Sequence, residues 1–424
     1  MDMDTLSAVE KKAPLSQLIR SLGPGILMAS AAVGGSHLVA STKAGAIYGW
    51  QLAGLILLVN LLKYPFFRIG IQYTMGTGKT LVEGYAHMGK AYLWLFAILA
   101  VVAGVISTAA LMMFSASLLG YFMPTELPIT VLSGMILAIC LVILLAGHYR
   151  ALDTLSKVLM AVLTIATLLA VSAAAMNPAT PTIPEADVPS PWTLGAVGFL
   201  VVMMGWMPAP IEVTSITSMW LKSQRQTHKV TIQSALFDFN VGYIGTALLA
   251  IVFLAMGALL LHRTGIELSQ SGVGFSQQLV NLYASTIGEW SRYLVAAIAF
   301  FCIFGSVITV MDGYARVIAE SQRLLKEQSQ QSPHVMRNWL LFVSIGGLAI
   351  IVFFASALIP MLDFAMIMAF TTTPIFALLN YLLILRTALP PALRVGRKLK
   401  ALSILGLLYL FGFLGLFIWW KWFL

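Results

Sequence analysis

Few side chains in this sequence are equipped for chemistry, and most of those lie inside apolar runs. His37 follows Gly34, Gly35 and Ser36, while Met207 precedes Pro208, Ala209 and Pro210. An imidazole and a thioether brought together suit a softer transition metal such as Mn, Fe, Cu or Zn better than Mg or Ca. Taken singly, His37 also reads as a hydrogen-bonded bundle residue, and Met207 as ordinary packing. Glu212 stands five residues after Met207, Asp238 lies within Phe237-Asp238-Phe239-Asn240, and Asp312 lies within Thr309-Val310-Met311-Asp312-Gly313. Ionisable groups inside apolar spans are functional candidates by default, so these three are candidate proton or coupling-ion sites. The alternatives are an ion pair for Glu212 and interhelical hydrogen bonds for Asp238 and Asp312. Asp363 reads as interfacial, and Thr371-Thr372-Thr373 before Pro374 as hydroxyls bonded back to their own helix.

Both His37 and Met207 belong to apolar stretches, 23–46 and 194–220, that are broken at mid-length. Gly34 and Gly35 permit unwinding at the first break. Pro208 and Pro210 remove backbone donors at the second and release carbonyls one turn back. In hydrocarbon, a helix interrupted in this way needs a protein-lined or wet cavity. Interrupted helices at corresponding places in two halves of a chain point to the substrate site of a secondary transporter.

The composition demands a membrane. The chain is 59% apolar and only 10% charged, against about 25% charged in soluble domains. Runs of about 20 apolar residues suffice to cross a bilayer. Eleven are expected, near 23–46, 48–67, 92–120, 127–147, 155–176, 194–220, 232–261, 292–323, 338–359, 361–386 and 402–423. The first five and the next five form two halves, 23–176 and 194–386. An odd number of spans per half inverts the second relative to the first. Residues 177–193, rich in proline, read as an external connector, residues 1–22 as a cytoplasmic tail, and 387–424 as a cytoplasmic loop plus span eleven. The Trp419-Trp420-Lys421-Trp422 ending reads as an interfacial anchor.

The net charge of +9 raises nucleic acid as a partner, but the placement of the charges argues against it. Of the 25 Lys and Arg, twenty fall on one side of this layout. Lys43, Arg263, Arg292 and Lys421 fall on the other, and Lys63 sits within the end of span two. The positive-inside rule then puts the N-terminus in the cytoplasm and the C-terminus outside. Residues 1–20 carry Lys11, Lys12 and Arg20 without a separate apolar region, so no removable signal peptide is expected. Cys140 and Cys302 lie inside apolar spans and read as small buried thiols. Gly76-Thr77-Gly78-Lys79-Thr80 superficially suggests a phosphate loop, but Tyr73 stands where that motif needs glycine, so nucleotide binding is not expected. No catalytic constellation and no cofactor is expected.

Several segments resemble the Nramp divalent-metal transporter family. Gly23-Pro24-Gly25 opens span one, and Ala44-Gly45-Ala46 followed by Tyr48-Gly49-Trp50 resembles the family's AGAxFGY segment. Residues 77–83 resemble its TGKDLAE loop, and Met207-Pro208 falls on the Met-Pro of its MPH motif. The resemblance implies an all-α membrane protein of eleven transmembrane helices. It implies a LeuT-type five-plus-five inverted repeat with spans one and six discontinuous and span eleven extra. It also implies alternating access, a divalent metal cargo and proton coupling. Aligned on Gly45, the family's Asp-Pro-Gly-Asn falls on Gly34-Gly35-Ser36-His37, so the metal-binding Asp is replaced by Gly34 and the Asn ligand by His37. The MPH histidine is replaced by Ala209, span three carries no carboxylate, and Met207 is the ligand that carries over.

The expected substrate site therefore comprises Gly34, Gly35, Ser36, His37, Met204, Met207 and Ala209, with His37 and Met207 as metal ligands. The expected function is proton-coupled transport of a divalent cation of the Mn/Fe type across a bacterial inner membrane. Because Gly34 replaces the anionic ligand, an amino or organic acid on the same scaffold is the alternative cargo. A non-transporting receptor is disfavoured for want of a signalling module. The expected partners are the transported solute, protons and the lipid bilayer.

Overall fold

The computed structural model describes residues 18, 22–124, 127–147, 149–354 and 357–423. Lys11, Lys12 and Arg20 of the tail lie outside the described residues, as do the side chains of Arg150 and Lys157. Among the described residues the chain is almost wholly helical, with a single isolated antiparallel bridge, Ser271 to Ala357. Eight helical segments among them are long and apolar enough to cross a membrane. Three shorter apolar helices accompany them, Ile129–Leu145, Met160–Met176 and Leu194–Gly205.

The first interrupted element is α1 (Pro24–Ala32), a wide π-helical turn (Gly35–Ser41) and α2 (Thr42–Tyr48). Next come α3 (Ala53–Thr77), α4 (Leu81–Met88), α5 (Lys90–Gly120), α6 (Ile129–Leu145) and α7 (Tyr149–Met176). The second interrupted element is α8 (Val197–Gly205) and α9 (Val213–Thr227). It is followed by α10 (Ile232–Leu260), α11 (Gly272–Ile287), α12 (Arg292–Leu325), α13 (Pro333–Phe354), α14 (Leu358–Leu385) and α15 (Arg397–Phe423).

Two boundaries differ from expectation in ways that matter. The run placed at 48–67 is the helix Ala53–Thr77, so Lys63 sits at mid-helix rather than at a membrane surface. The polar backbone of 71–77 belongs to that helix, which stops where Gly78 takes φ 72°. The stretch 262–291, between the expected spans 232–261 and 292–323, contains α11, which buries Phe275, Leu279 and Tyr283 at helical spacing. Ser271 caps it by accepting the Gly274 N–H. The connector 177–193 lies against the end of α10, with the Ala179 N–H donating to Leu259 O at 2.9 Å.

α10 packs along both pieces of the first interrupted element, and glycines let the backbones touch. A Cβ on Gly25 would stand 2.3 Å from Asp238 O, and one on Gly242 2.2 Å from Gly25 O. Higher up, a Cβ on Gly45 would meet Leu254 O at 2.0 Å, and one on Gly257 would meet Thr42 O at 2.1 Å. Such small-residue crossings are how helices approach closely without a hydrophobic driving force. They hold α1 and α2 in place although the segment between them is irregular.

The far end of α9 is anchored by polar contacts. Thr80 and Glu83 form a reciprocal capping box at the start of α4. Glu83 also receives Lys222 Nζ from α9 at 2.8 Å on both oxygens, and Arg225 donates to Thr74 O at 2.8 Å. Partial burial raises the Glu83 pKa, but hydrogen bonds from Lys222 and from the Thr80 N–H outweigh it and hold the carboxyl below its ordinary value.

Candidate functional site

The two interruptions meet. α1 ends at Ala32, and the backbone from Trp206 to Glu212 is non-helical between α8 and α9. Together they border a small cavity lined by Gly34 and Gly35 from the first break and by Trp206, Ala209 and Pro210 from the second. α5 contributes Ser107 and Leu111, and α12 contributes Val310 and Tyr314. Its volume is about 30 Å³, room for a few water-sized species such as an ion with part of its water shell. The floor of the contact is Gly35 against the Trp206 indole, where a Cβ would fall 2.8 Å from Cζ3.

Glu212, at the start of α9 and 2% exposed, is not itself a lining residue but is bonded to one. Its Oε1 accepts from Tyr314 O–H at 3.1 Å, and Tyr314 lines the cavity. Its Oε2 is buried without a hydrogen-bond partner. A buried carboxylate oxygen with nothing bound to it is costly, so it is available to a cation or a proton. The Trp206 indole N–H is likewise unpartnered.

The structure separates the other expected residues. Gly34, Gly35 and Ala209 line the cavity. His37 does not: its Nε2 meets Thr246 O on α10 at 3.0 Å, and its Nδ1 meets Ser36 Oγ at 2.8 Å. Both ring nitrogens are thus engaged within the bundle, the ring faces α10 rather than the cavity, and Ser36 is its hydrogen-bond partner. Met207 is fully buried without reaching the lining. Met204 Sδ accepts from Tyr409 O–H of α15 at 2.7 Å.

Asp238 and Asp312 also stand away from the lining. The Asp238 carboxylate accepts the N–H groups of Gly23 (2.9 Å), Gly25 (2.6 Å) and Ile26 (3.3 Å). It is an N-cap supplied to α1 by α10, satisfying donors that the helix start leaves open. These contacts match the interhelical hydrogen-bonding alternative for Asp238. Asp312 pairs with Arg316 Nε one turn on, at 2.6 Å. Thr371, Thr372 and Thr373 bond back to carbonyls of their own helix. Lys43 of α2 and Asp363 of α14 form an ion pair at 3.0 Å.

Sequence reasoning passed over Lys63. It is fully buried, and its Nζ donates to Met204 O at 2.7 Å and Gly205 O at 3.2 Å, the last carbonyls of α8. The signal was present, since a lysine in an apolar span is a candidate by the same rule that singled out Glu212. Placing the span end at 67 disguised it as a boundary residue. Among the described residues no group of three or more His, Cys, Asp or Glu side chains is gathered to hold a metal.

Long apolar helices packed around two interrupted ones, with a cavity at the meeting of the breaks, define an integral membrane protein. Residues 25–420 match the family described as natural resistance-associated macrophage protein-like, Nramp. An uncharacterized protein of Pasteurella multocida is 49% identical over 418 residues, covering 98% of this chain and 96% of that protein. A mutant manganese transporter of Eremococcus coleocola has a similar fold, with TM-score 0.72 at 15% identity over 96% of this chain and 87% of that one. A nucleobase-cation-symport-1 family transporter bound to bromovinylhydantoin gives 0.55 at 14% identity, covering 94% of this chain and 92% of its own. The chain belongs to the Nramp family of membrane transporters.

Proposed function

We propose that the chain moves a divalent cation of the Mn/Fe type, coupled to protons, by alternating access across a bacterial inner membrane. In this reading there are eleven spans, with α1 and α2 forming span one and α8 and α9 forming span six. The halves 23–176 and 194–386 are inverted repeats, the N-terminus is cytoplasmic and the C-terminus external. The asymmetric distribution of Lys and Arg supports that orientation.

The observation that carries the reading is the bare Oε2 of Glu212, whose other oxygen is bonded to Tyr314 in the lining of the cavity where both breaks meet. A divalent cation taken from water needs an anionic ligand to offset desolvation. Glu212 supplies that charge where Gly34 cannot, with carbonyls freed near Gly34 and Ala209 completing the shell and Met207 held as a candidate thioether donor. The same carboxyl, when protonated, releases the cation, which links cargo to proton.

Calorimetric titration of the purified protein with Mn²⁺, Cd²⁺ and Mg²⁺ tests this. Saturable Mn²⁺ or Cd²⁺ binding that Glu212→Gln abolishes and His37→Ala leaves intact is the expected result. Binding unaffected by Glu212→Gln refutes the assignment. Two observations favour a second reading, a small organic acid: the lining is largely apolar, and Lys63 lies behind the second break. Thermal stabilisation by organic acids at mM levels with none by Mn²⁺ would select that cargo instead.

A further inference from the structure

Lys63 raises a question that metal transport leaves open. An ammonium group buried in the middle of a membrane helix carries a large desolvation cost unless it is paired. Among the described residues no carboxylate stands within ion-pair distance of it. Its direct partners are two main-chain carbonyls, Met204 O and Gly205 O. These end α8, whose last residues have no following helical N–H because the chain turns away at Trp206. Free carbonyls there carry the negative end of the helix dipole. The arrangement is a cation site built of backbone oxygen, with a cation already in it.

The first break makes the contrast. There the carbonyls at the end of α1 are met by neutral donors: Ser306 Oγ at 3.2 Å from Ser30 O, Cys302 Sγ at 3.9 Å from Val33 O, and Ser36 Oγ at 3.2 Å from Ala32 O. Hydroxyl and thiol groups suffice to satisfy a broken helix end. A lysine is not needed merely to cap one.

We propose that the carbonyl pair of Met204 and Gly205 is a monovalent-cation site that Lys63 fills as a tethered cation. The ammonium stands where a mobile sodium or potassium ion would otherwise bind. The protein thus carries its own counter-charge at the second break and needs no free alkali cation there. This goes beyond the proposed cargo: it concerns what holds α8 at its broken end, whichever solute the cavity takes.

The test uses thermal unfolding of the purified full chain in detergent, in choline chloride, NaCl and KCl at equal ionic strength. The variants are Lys63→Ala, which empties the cradle, and Lys63→Met, which fills the same space without charge. Wild type and Lys63→Met are expected to be indifferent to the cation. Lys63→Ala is expected to have a lower midpoint in choline and a saturable upward shift with Na⁺ or K⁺, because an ion that binds only the folded state stabilises it by mass action. No cation-specific shift in Lys63→Ala, or an equal shift in all three proteins, overturns the proposal. If Lys63→Ala cannot be isolated in choline, its recovery when purified throughout in NaCl or KCl supports the tethered cation, and failure in every salt overturns it. A specific Na⁺ or K⁺ shift in wild type overturns it as well. No cargo enters the assay, so a negative result here leaves the metal reading standing, and failed Mn²⁺ titration leaves this site untouched.

Discussion

Replacing Gly35 with alanine presses directly on the contact that joins the two breaks. The added methyl would sit 2.8 Å from Trp206 Cζ3 and 3.2 Å from both Trp206 Cε3 and Leu362 Cδ2. Carbon atoms prefer about 3.5–4.0 Å, so the shortfall against the indole is roughly 0.7 Å or more. The indole is rigid and only 5% exposed, so it cannot swing into solvent. Overpacking of this kind costs about 1–3 kcal/mol. If that cost falls only on the state with the breaks in contact, its population relative to a parted state drops about 5–150-fold. Initial rates of Mn²⁺ uptake into proteoliposomes, with thermal midpoints measured in parallel, read both consequences. Gly35→Ala is expected to slow uptake and lower the midpoint. Adding Trp206→Leu is expected to restore part of the loss by removing the atoms that clash. Wild-type rate and midpoint in Gly35→Ala, or no relief in the double variant, would refute the contact as the joint between breaks.

Three further outcomes follow from the polar contacts. Asp238→Ala orphans two buried N–H groups and one part-buried N–H at the start of α1, at about 1–3 kcal/mol for each buried one. A lower thermal midpoint is expected, with the pH profile of transport in Asp238→Asn unchanged; a shifted profile would return Asp238 to a proton-carrying role. Lys43→Met leaves Asp363, whose Oδ1 is already buried and unpartnered, without its cation. It is expected to destabilise by about 1–3 kcal/mol, and Lys43→Met/Asp363→Leu to recover much of this; a double variant with additive losses contradicts the pairing. The Glu83 carboxyl is held below its ordinary value, so its stabilisation is present at neutral pH and is lost as pH falls through the depressed value. The difference in midpoint between wild type and Glu83→Gln should therefore narrow below about pH 4; a difference that persists or grows in acid would show that the carboxylate's charge is not what stabilises.

Composition and periodicity alone dictated a helical membrane protein with interruptions near residues 34 and 208. The reason is local: about twenty apolar residues must wind into helix in hydrocarbon, and paired prolines or glycines must break it. Met207-Pro208 and the segments around Gly45 and Thr77 likewise carried the family resemblance by their order in the chain. Glu212 was legible too, as a carboxylate in an apolar span. What the sequence could not decide was which way each polar side chain faces. His37 and Lys63 both lie in apolar helical stretches, and nothing nearby in sequence says that His37 turns to Thr246 while Lys63 reaches Met204 O, 141 positions away. Asp238 is equally ambiguous until the Gly25–Gly242 crossing brings it under the first turn of α1. Those orientations follow from how the helices are rotated against one another. That rotation is set by close packing among distant segments rather than by any one segment's own pattern.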